Sequence, residues 1–403
     1  MNELTTKQKY GEVFTPQKQI CEMIHKLPKE VWKNPDLKWL DPAAGTGNFA
    51  SIIIPKLHKE LKTIIHDDKE RMKHILQHMI YMVEINPENV RQIEKSFQTS
   101  NIYCADFLTW TPPESIVFDI IIGNPPYNDI RRFKKKNSQT LWDPFVSTIL
   151  TKYIIPGGYF CFIHPPGWRK PGSELFHSMT KENHMLYVEM HHFSDGLVLF
   201  DAETRYDWYV IKGGAHDNCL STIKDMHGNL HLMTLSDKLF LPNYFLSTIY
   251  SLECKNRDKC VPILYNRTQY GSDKYWTQSE KDSEYKYPLV HSTPKKGIRY
   301  YYTNTLNPPV RKKIKMFGVS KVIFGEGGAH NPLIDMEGKY GMTGCAMAIL
   351  VSSLHEAKLL CQILKSDAFK QFVNAMSVGY FRIDWKLFLH FKADFYKNLP
   401  LLM

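Results

Sequence analysis

Four short apolar runs in the first third of the chain each close on an acid or an amide. They are the run into Trp39-Leu40-Asp41, then Met79-Ile80-Tyr81-Met82-Val83-Glu84, then Asn101-Ile102-Tyr103-Cys104-Ala105-Asp106, and finally Val117-Phe118-Asp119-Ile120-Ile121-Ile122-Gly123-Asn124. Apolar, β-branched runs of this length read as buried parallel strands. In an open parallel sheet the carboxyl ends of the strands face one crevice, and ligands bind there. Asp41, Glu84, Asp106 and Asn124 are therefore expected side by side. The implied fold is α/β and Rossmann-like.

Each strand end carries its own chemistry. After Asp41 comes Pro42-Ala43-Ala44-Gly45-Thr46-Gly47-Asn48, then the apolar stretch 49–61. That order is strand, glycine turn, helix, and the turn lets a ligand approach the backbone. A third glycine is missing, and Asp41 would repel a pyrophosphate, so a ligand carrying an ammonium group suits this end better. An acid closing the second strand can accept hydrogen bonds from ribose hydroxyls. Glu84 lies 37 residues beyond Gly47, against roughly 20 in dinucleotide folds, which predicts an extra helix between them. The fourth strand runs into Asn124-Pro125-Pro126-Tyr127. Its prolines restrict the backbone and remove two donors. A rigid loop results, with an amide, carbonyls and a ring that can grip a flat molecule bearing an amino group.

Ahead of the first strand, Gln8-Lys9-Tyr10-Gly11-Glu12-Val13-Phe14-Thr15-Pro16 leads into a helical face of Ile20, Met23, Ile24 and Leu27. Thr15 is the expected N-cap, with Pro16 in the first turn. Amides at such a helix start can hold a carboxylate. Past Tyr127, Lys134-Lys135-Lys136 stands in a polar loop as a candidate phosphate contact, and Trp142–Ile155 reads as a helix. Strands are expected at Tyr159–Ile163, Leu186–Phe193 and Arg205–Ile211, which brings the sheet to seven.

Gly213-Gly214 and the polar residues after it mark the expected boundary, giving domains 1–214 and 215–403. The formal net charge of +10 is uneven: residues 1–214 hold 26 basic and 25 acidic side chains, and residues 215–403 hold 25 and 16. A basic half joined to a neutral half suits a polyanion-binding module attached to another activity. This second part reads as mixed α+β, with Lys295-Lys296-Gly297-Ile298-Arg299-Tyr300-Tyr301-Tyr302 and Arg311-Lys312-Lys313 as basic and aromatic stretches and a helix over 345–376. No run approaches the roughly 18 apolar residues of a membrane span, and the start lacks a signal-peptide core. Eight cysteines show no metal-type spacing, so no metal site and a cytoplasmic setting are expected.

The set of motifs resembles the S-adenosylmethionine-dependent DNA adenine-N6 methyltransferases, in the subgroup whose cofactor motifs precede the catalytic Asn-Pro-Pro-Tyr. The resemblance covers about residues 8–212, through Gly11–Pro16, Asp41–Phe49, Asp106-Phe107-Leu108 and Gly123–Tyr127. It implies that Thr15 and the nearby backbone hold the methionine carboxylate of S-adenosylmethionine. Asp41, Ala43, Gly45 and Gly47 would line its methionine part, Glu84 its ribose and Asp106 its adenine amino group, with Phe107 against that ring. Asn124 and Pro125 would accept the amino hydrogens of a flipped target adenine, Pro126 would stiffen the loop and Tyr127 would stack on the base. A second aromatic wall is expected from Tyr206, Trp208 or Tyr209. Residues 215–403 would form the target-recognition domain that holds double-stranded DNA, and a cognate restriction endonuclease is the partner that such systems imply.

Three other readings compete. Asn-Pro-Pro-Tyr enzymes also methylate RNA or protein glutamine, but the Gly11–Pro16 piece and the basic second part favour DNA. A non-catalytic DNA-binding subunit would not need intact acids at three strand ends. A fused nuclease would need more than the seven residues ahead of Gln8, or more than the loose pattern of Asp237 with Glu253-Cys254-Lys255.

Overall fold

The runs into Asp41, Glu84 and Asn124 form strands buried almost throughout, which favours Ile, Val and aromatic residues, whereas the run into Asp106 forms a half-exposed edge strand. The computed structural model describes residues 14–113, 116–128, 140–214, 219–379 and 382–402. Gly11, Glu12, Val13 and Lys134-Lys135-Lys136 lie outside them. The chain divides into Met1–Phe240 and Leu241–Met403.

The first unit is built on one sheet of nine strands. They are β1 (Trp39–Asp41), β2 (Ile80–Glu84), β3 (Ile102–Cys104), β4 (Phe118–Gly123), β5 (Ile154–His164), β6 (His184–His191), β7 (Tyr206–Lys212), β8 (Leu220–Lys224) and β9 (Leu230–Thr234). Their spatial order is β3-β2-β1-β4-β5-β7-β6-β8-β9. β1 to β5 are parallel, and β7 runs antiparallel between β5 and β6. Strand order reverses at β1, so the crevice falls at the carboxyl ends of β1 and β4. Helices Asn48–Glu60, Asp68–His74 and Pro87–Phe97 connect the first three strands. The second of these is the extra helix that the long spacing to Glu84 required.

Three expectations about this unit are corrected. The sheet has nine strands rather than seven, because the β8–β9 hairpin joins it through a parallel pairing of β8 with β6. The chain accordingly divides after Phe240, not after Gly214. Gly213-Gly214 is no linker: Gly213 exchanges backbone hydrogen bonds with Gly157 and Gly158, and a Cβ on Gly213 would collide with the Ile155 carbonyl. Gly213 lets two strands approach closely, and Gly214 takes a left-handed φ of +95°. The helix expected over Trp142–Ile155 also ends early, since β5 begins at Ile154.

The second unit is mixed α+β. One sheet pairs β10 (Ile263–Leu264), β17 (Ala346–Leu350), β14 (Lys321–Gly325) and β15 (Gly328–Asp335), in that order. Another pairs β11 (Thr277–Gln278), β13 (Arg299–Thr303), β12 (Tyr287–Ser292) and β16 (Gly341–Met342). Helices Leu354–Lys365 and Asp367–Met376 follow β17. The helix expected from 345 is therefore corrected at its start: Ala346-Met347-Ala348 are good helix formers but pair with β14 along its length. Tertiary pairing outweighs local propensity there.

Candidate active site

Asp41, Glu84 and Asn124 do converge at the carboxyl edge of the sheet. The turn after β1 takes glycine at two left-handed positions, φ +55° at Gly45 and +86° at Gly47. A Cβ on Gly47 would also stand 2.7 Å from the Phe97 ring. The Gly45 N–H donates to Glu84 Oε2 at 2.8 Å, and the Asn86 N–H donates to Glu84 Oε1 at 2.7 Å. These bonds aim the Glu84 carboxylate, and its two oxygens offer about four acceptor positions in all.

Asp41 is held by the Ala43 N–H, which donates to its Oδ1 at 3.1 Å. Its Oδ2 is buried with no hydrogen-bond partner. Burial pushes the Asp41 carboxyl up to about 7; the Ala43 bond opposes the rise and the Glu84 charge adds to it. A buried carboxylate without a cation is costly, so this position fits a ligand ammonium group. Gly123 closes the space behind it: a Cβ there would lie 2.8 Å from Asp41 Oδ1.

Asn124 follows β4 directly and is buried. Its Nδ2 donates to Thr15 Oγ1 at 3.1 Å, which turns the amide oxygen to the opposite side. Thr15 is not the helix N-cap expected from the sequence. Pro16 occupies that position, without a side-chain cap, and the buried Thr15 hydroxyl accepts from Asn124 instead. The Thr15 carbonyl accepts a long bond from Asn48 Nδ2 at 3.4 Å, tying this segment to the glycine turn. Pro125 is buried and Pro126 half-buried.

Tyr127 is 8% exposed, and its carbonyl accepts from the Leu141 N–H at 3.0 Å. Burial raises its phenol above the ordinary value, Tyr206 adds to the rise, and the nearby Asn124 side chain opposes it. Its ring meets Phe200 edge-on at 6.1 Å, and Phe200 meets Tyr206 edge-on at 5.2 Å. Of the three aromatics proposed for the second wall, Tyr206 makes its ring contact with Phe200, which in turn meets Tyr127. Trp208 packs on Tyr187 at 4.9 Å. Tyr209 lies on the other face of β7, where its hydroxyl bonds His164 Nε2 at 2.7 Å.

Asp106 follows β3, and its Oδ1 accepts the Leu108 N–H at 3.1 Å. Phe107 is 2% exposed, its ring against Phe145 at 5.1 Å and Tyr153 at 5.3 Å. Most of its surface is spent on the protein's own core.

Three side chains near these residues escape sequence reasoning. Phe200 ends the helix Phe193–Phe200, and its signal is the unbroken run Leu197-Val198-Leu199-Phe200 rather than any alternation. Ile85 stands 38% exposed beside Glu84, and Phe14 stands 49% exposed with its ring 3.5 Å from where a Gly45 Cβ would be. Exposed apolar side chains flanking a polar crevice supply walls for a flat ligand.

Residues 37–199 match the family model described as Eco57I restriction-modification methylase. An uncharacterized adenine-specific methylase of Mycoplasma pneumoniae is 43% identical over 75 residues, which is 18% of each chain. A tRNA1(Val) (adenine(37)-N6)-methyltransferase of Escherichia coli O1:K1 / APEC is 30% identical over 114 residues, covering 25% of this chain and 46% of that one. The chain thus spans less than half the length of either relative. Two solved structures share the fold over nearly the whole chain. The type IIL restriction-modification enzyme MmeI, solved in complex with DNA, has a TM-score of 0.53 at 12% identity and covers 96% of this chain and 69% of its own. A nuclease-deletion mutant of the type ISP restriction-modification enzyme LlaGI, solved with a DNA substrate mimic, has a TM-score of 0.58 at 12% identity, with 97% and 54% covered.

Proposed function

Since residues 37–199 match the family model described as Eco57I restriction-modification methylase, we propose that the chain transfers a methyl group from S-adenosylmethionine to N6 of an adenine in duplex DNA, at one defined site. The observation that carries this reading is the buried pair Thr15–Asn124 at the end of β4, next to a buried Asp41 carboxylate with an unpartnered oxygen.

S-adenosylmethionine, when bound, supplies an electrophilic methyl on a sulfonium. Asp41 would hold its ammonium, Glu84 its ribose hydroxyls and Asp106 its adenine amino group, with Ile85 and Phe14 as apolar walls. Ala43, Gly45 and Gly47 shape the backbone around it. An adenine amine is a weak nucleophile because its lone pair is delocalised into the ring. Two acceptors on its hydrogens, Asn124 Oδ1 and the Pro125 carbonyl, favour a pyramidal nitrogen and aim the lone pair. Pro125 and Pro126 fix those acceptors in advance, so positioning and electrostatics carry the catalysis. Flipping the base out of the duplex costs a few kcal/mol. Stacking on Tyr127 returns about 1–3 kcal/mol. Phe200 is the second wall of the base pocket in this reading.

The second unit would hold the DNA and choose the site. Residues 241–403 carry 23 basic and 13 acidic side chains, while residues 1–240 carry 28 of each. The whole formal excess of +10 therefore lies in the second unit. A tRNA substrate is the rival, favoured by the Escherichia coli relative. Duplex DNA is preferred because the likeness to MmeI and LlaGI runs through the second unit, whereas the tRNA enzyme matches a quarter of the chain. A restriction-modification or related system, with a cognate nuclease, is the setting proposed. Incubation with S-adenosylmethionine labelled in its methyl group tests the reading against duplex DNA, tRNA and protein. Label in N6-methyladenine of DNA alone is expected, and label in RNA or protein alone would overturn it.

A further inference from the structure

Helix Phe193–Phe200 is firmly anchored yet bare on one side. His192 and Asp195 cap its start reciprocally, and Asp201 closes it in the left-handed region at φ +53°. Gly196 comes so close to the Thr204 carbonyl that a Cβ there would collide with it. Gly196 and Phe200, one turn apart, are buried together, and Leu199 packs on the core of the sheet. Val198 is nevertheless 88% exposed and Leu197 49%. A rigid helix thus holds two adjacent apolar side chains out in water, where covering them would be favourable.

The sheet topology places this pair at the crevice. β7 runs antiparallel to both β5 and β6, so β6 points the same way as β4 and β5. The helix that follows β6 therefore stands on the same carboxyl edge as Asn124. Its last residue, Phe200, meets Tyr127 at 6.1 Å. Residues two apart project to nearly opposite sides of a helix that is about 10–12 Å across with its side chains. Val198 accordingly lies within about one helix width of the Tyr127–Phe200 pocket, with Leu197 between Val198 and Phe200 around the helix. Asp201 and Glu203 are exposed just beyond the pair, which makes this part of the edge unsuited to phosphate and suited to apolar contact with bases.

We propose that Val198, flanked by Leu197, is a wedge that enters the base stack of duplex DNA and fills the slot left by the flipped adenine. Apolar side chains inserted between base steps unstack them in this way. A base turned out about its backbone leaves its pocket and its vacated slot as neighbours, which is the relation between Phe200 and Val198 on this helix. Tyr127 and Phe200 hold the base once it is out, and the wedge keeps it from returning. The wedge touches neither the cofactor nor the reacting atoms, and it rests on the DNA adenine methylation proposed above.

The test is methyl transfer by the full chain to two duplexes carrying the modified sequence, one fully matched and one with the target adenine mispaired. A mispaired base costs less to extrude and so depends less on the wedge. Leu197→Ala/Val198→Ala should lower kcat/KM about tenfold or more on the matched duplex and less than about threefold on the mispaired one, with Val198→Leu near wild type on both. S-adenosylmethionine affinity, the folding control, should not change. Nor should the salt slope of DNA affinity, which counts phosphate contacts. Equal losses on the two duplexes, no loss on either, or a reduced salt slope overturns the wedge and, with the wild-type protein methylating DNA adenine, leaves the proposed activity standing. A wild-type protein that methylates neither duplex overturns the proposed activity and the wedge with it.

Discussion

Thr15 Oγ1 accepts a hydrogen bond from Asn124 Nδ2 at 3.1 Å, across 109 positions of sequence. One threonine at the entry to the first helix therefore orients the amide at the end of the fourth strand. The hydroxyl keeps its own proton to donate, so the same side chain can serve a carboxylate. Thr15→Val removes the Oγ1 acceptor from the buried amide nitrogen, a change worth about 1–3 kcal/mol. A fall in kcat of roughly tenfold to a hundredfold is expected, with cofactor affinity changed only a few-fold and Thr15→Ser largely intact. Equal losses of turnover and cofactor affinity would contradict the orienting role.

Asp41 gives a pH signature. Its carboxyl titrates at about 7 in the folded protein, against about 3.9 unfolded. The folded state then holds a proton between those values that the unfolded state has lost. Stability of the ligand-free protein should fall as pH rises through that window and level off above 7. Affinity for an ammonium ligand runs the other way, weakening by up to tenfold per pH unit below 7. Asp41→Asn should raise the melting temperature near pH 8 and lose cofactor affinity and its pH dependence together. Melting curves and calorimetry from about pH 5.5 to about pH 8 measure both; a wild-type affinity flat across that range would refute the assignment.

Gly123→Ala places a methyl 2.8 Å from Asp41 Oδ1, so either the carboxylate or the start of the Asn-Pro-Pro-Tyr loop must shift. Overpacking of this kind costs about 1–3 kcal/mol. Weaker cofactor binding and slower transfer are expected together, in contrast to Thr15→Val. Wild-type values for both would show that the Asp41 position does not matter.

Tyr127→Ala and Phe200→Ala each remove one ring of the proposed base pocket. With 2-aminopurine at the target position, both should reduce the fluorescence change on binding while leaving S-adenosylmethionine affinity near wild type. A loss confined to Tyr127→Ala would reject Phe200 as the second wall.

The strand ends were legible because each acid or amide terminates an apolar run whose pattern is local. Contacts made across the sheet were not. Thr15 looked like a helix cap because threonine before proline usually is one, and its bond to Asn124 depends on a residue 109 positions away. Gly213-Gly214 reads as a linker, but Gly213 serves a close approach to Ile155. Ala346-Met347-Ala348 looked helical because propensity is local, whereas pairing with β14 is not. Phe200 carried no period at all; only the edge-on contact with Tyr127 marks it.

The central claim is methyl transfer to adenine N6 through Asn124. Sequencing of duplex DNA treated with the protein and S-adenosylmethionine, read for modified adenines, tests it most directly. Modified adenines at one recurring sequence are predicted, disappearing with Asn124→Ala while that variant still binds the cofactor. Unmodified DNA from an active, cofactor-bound protein, or a pattern unchanged in Asn124→Ala, would contradict it.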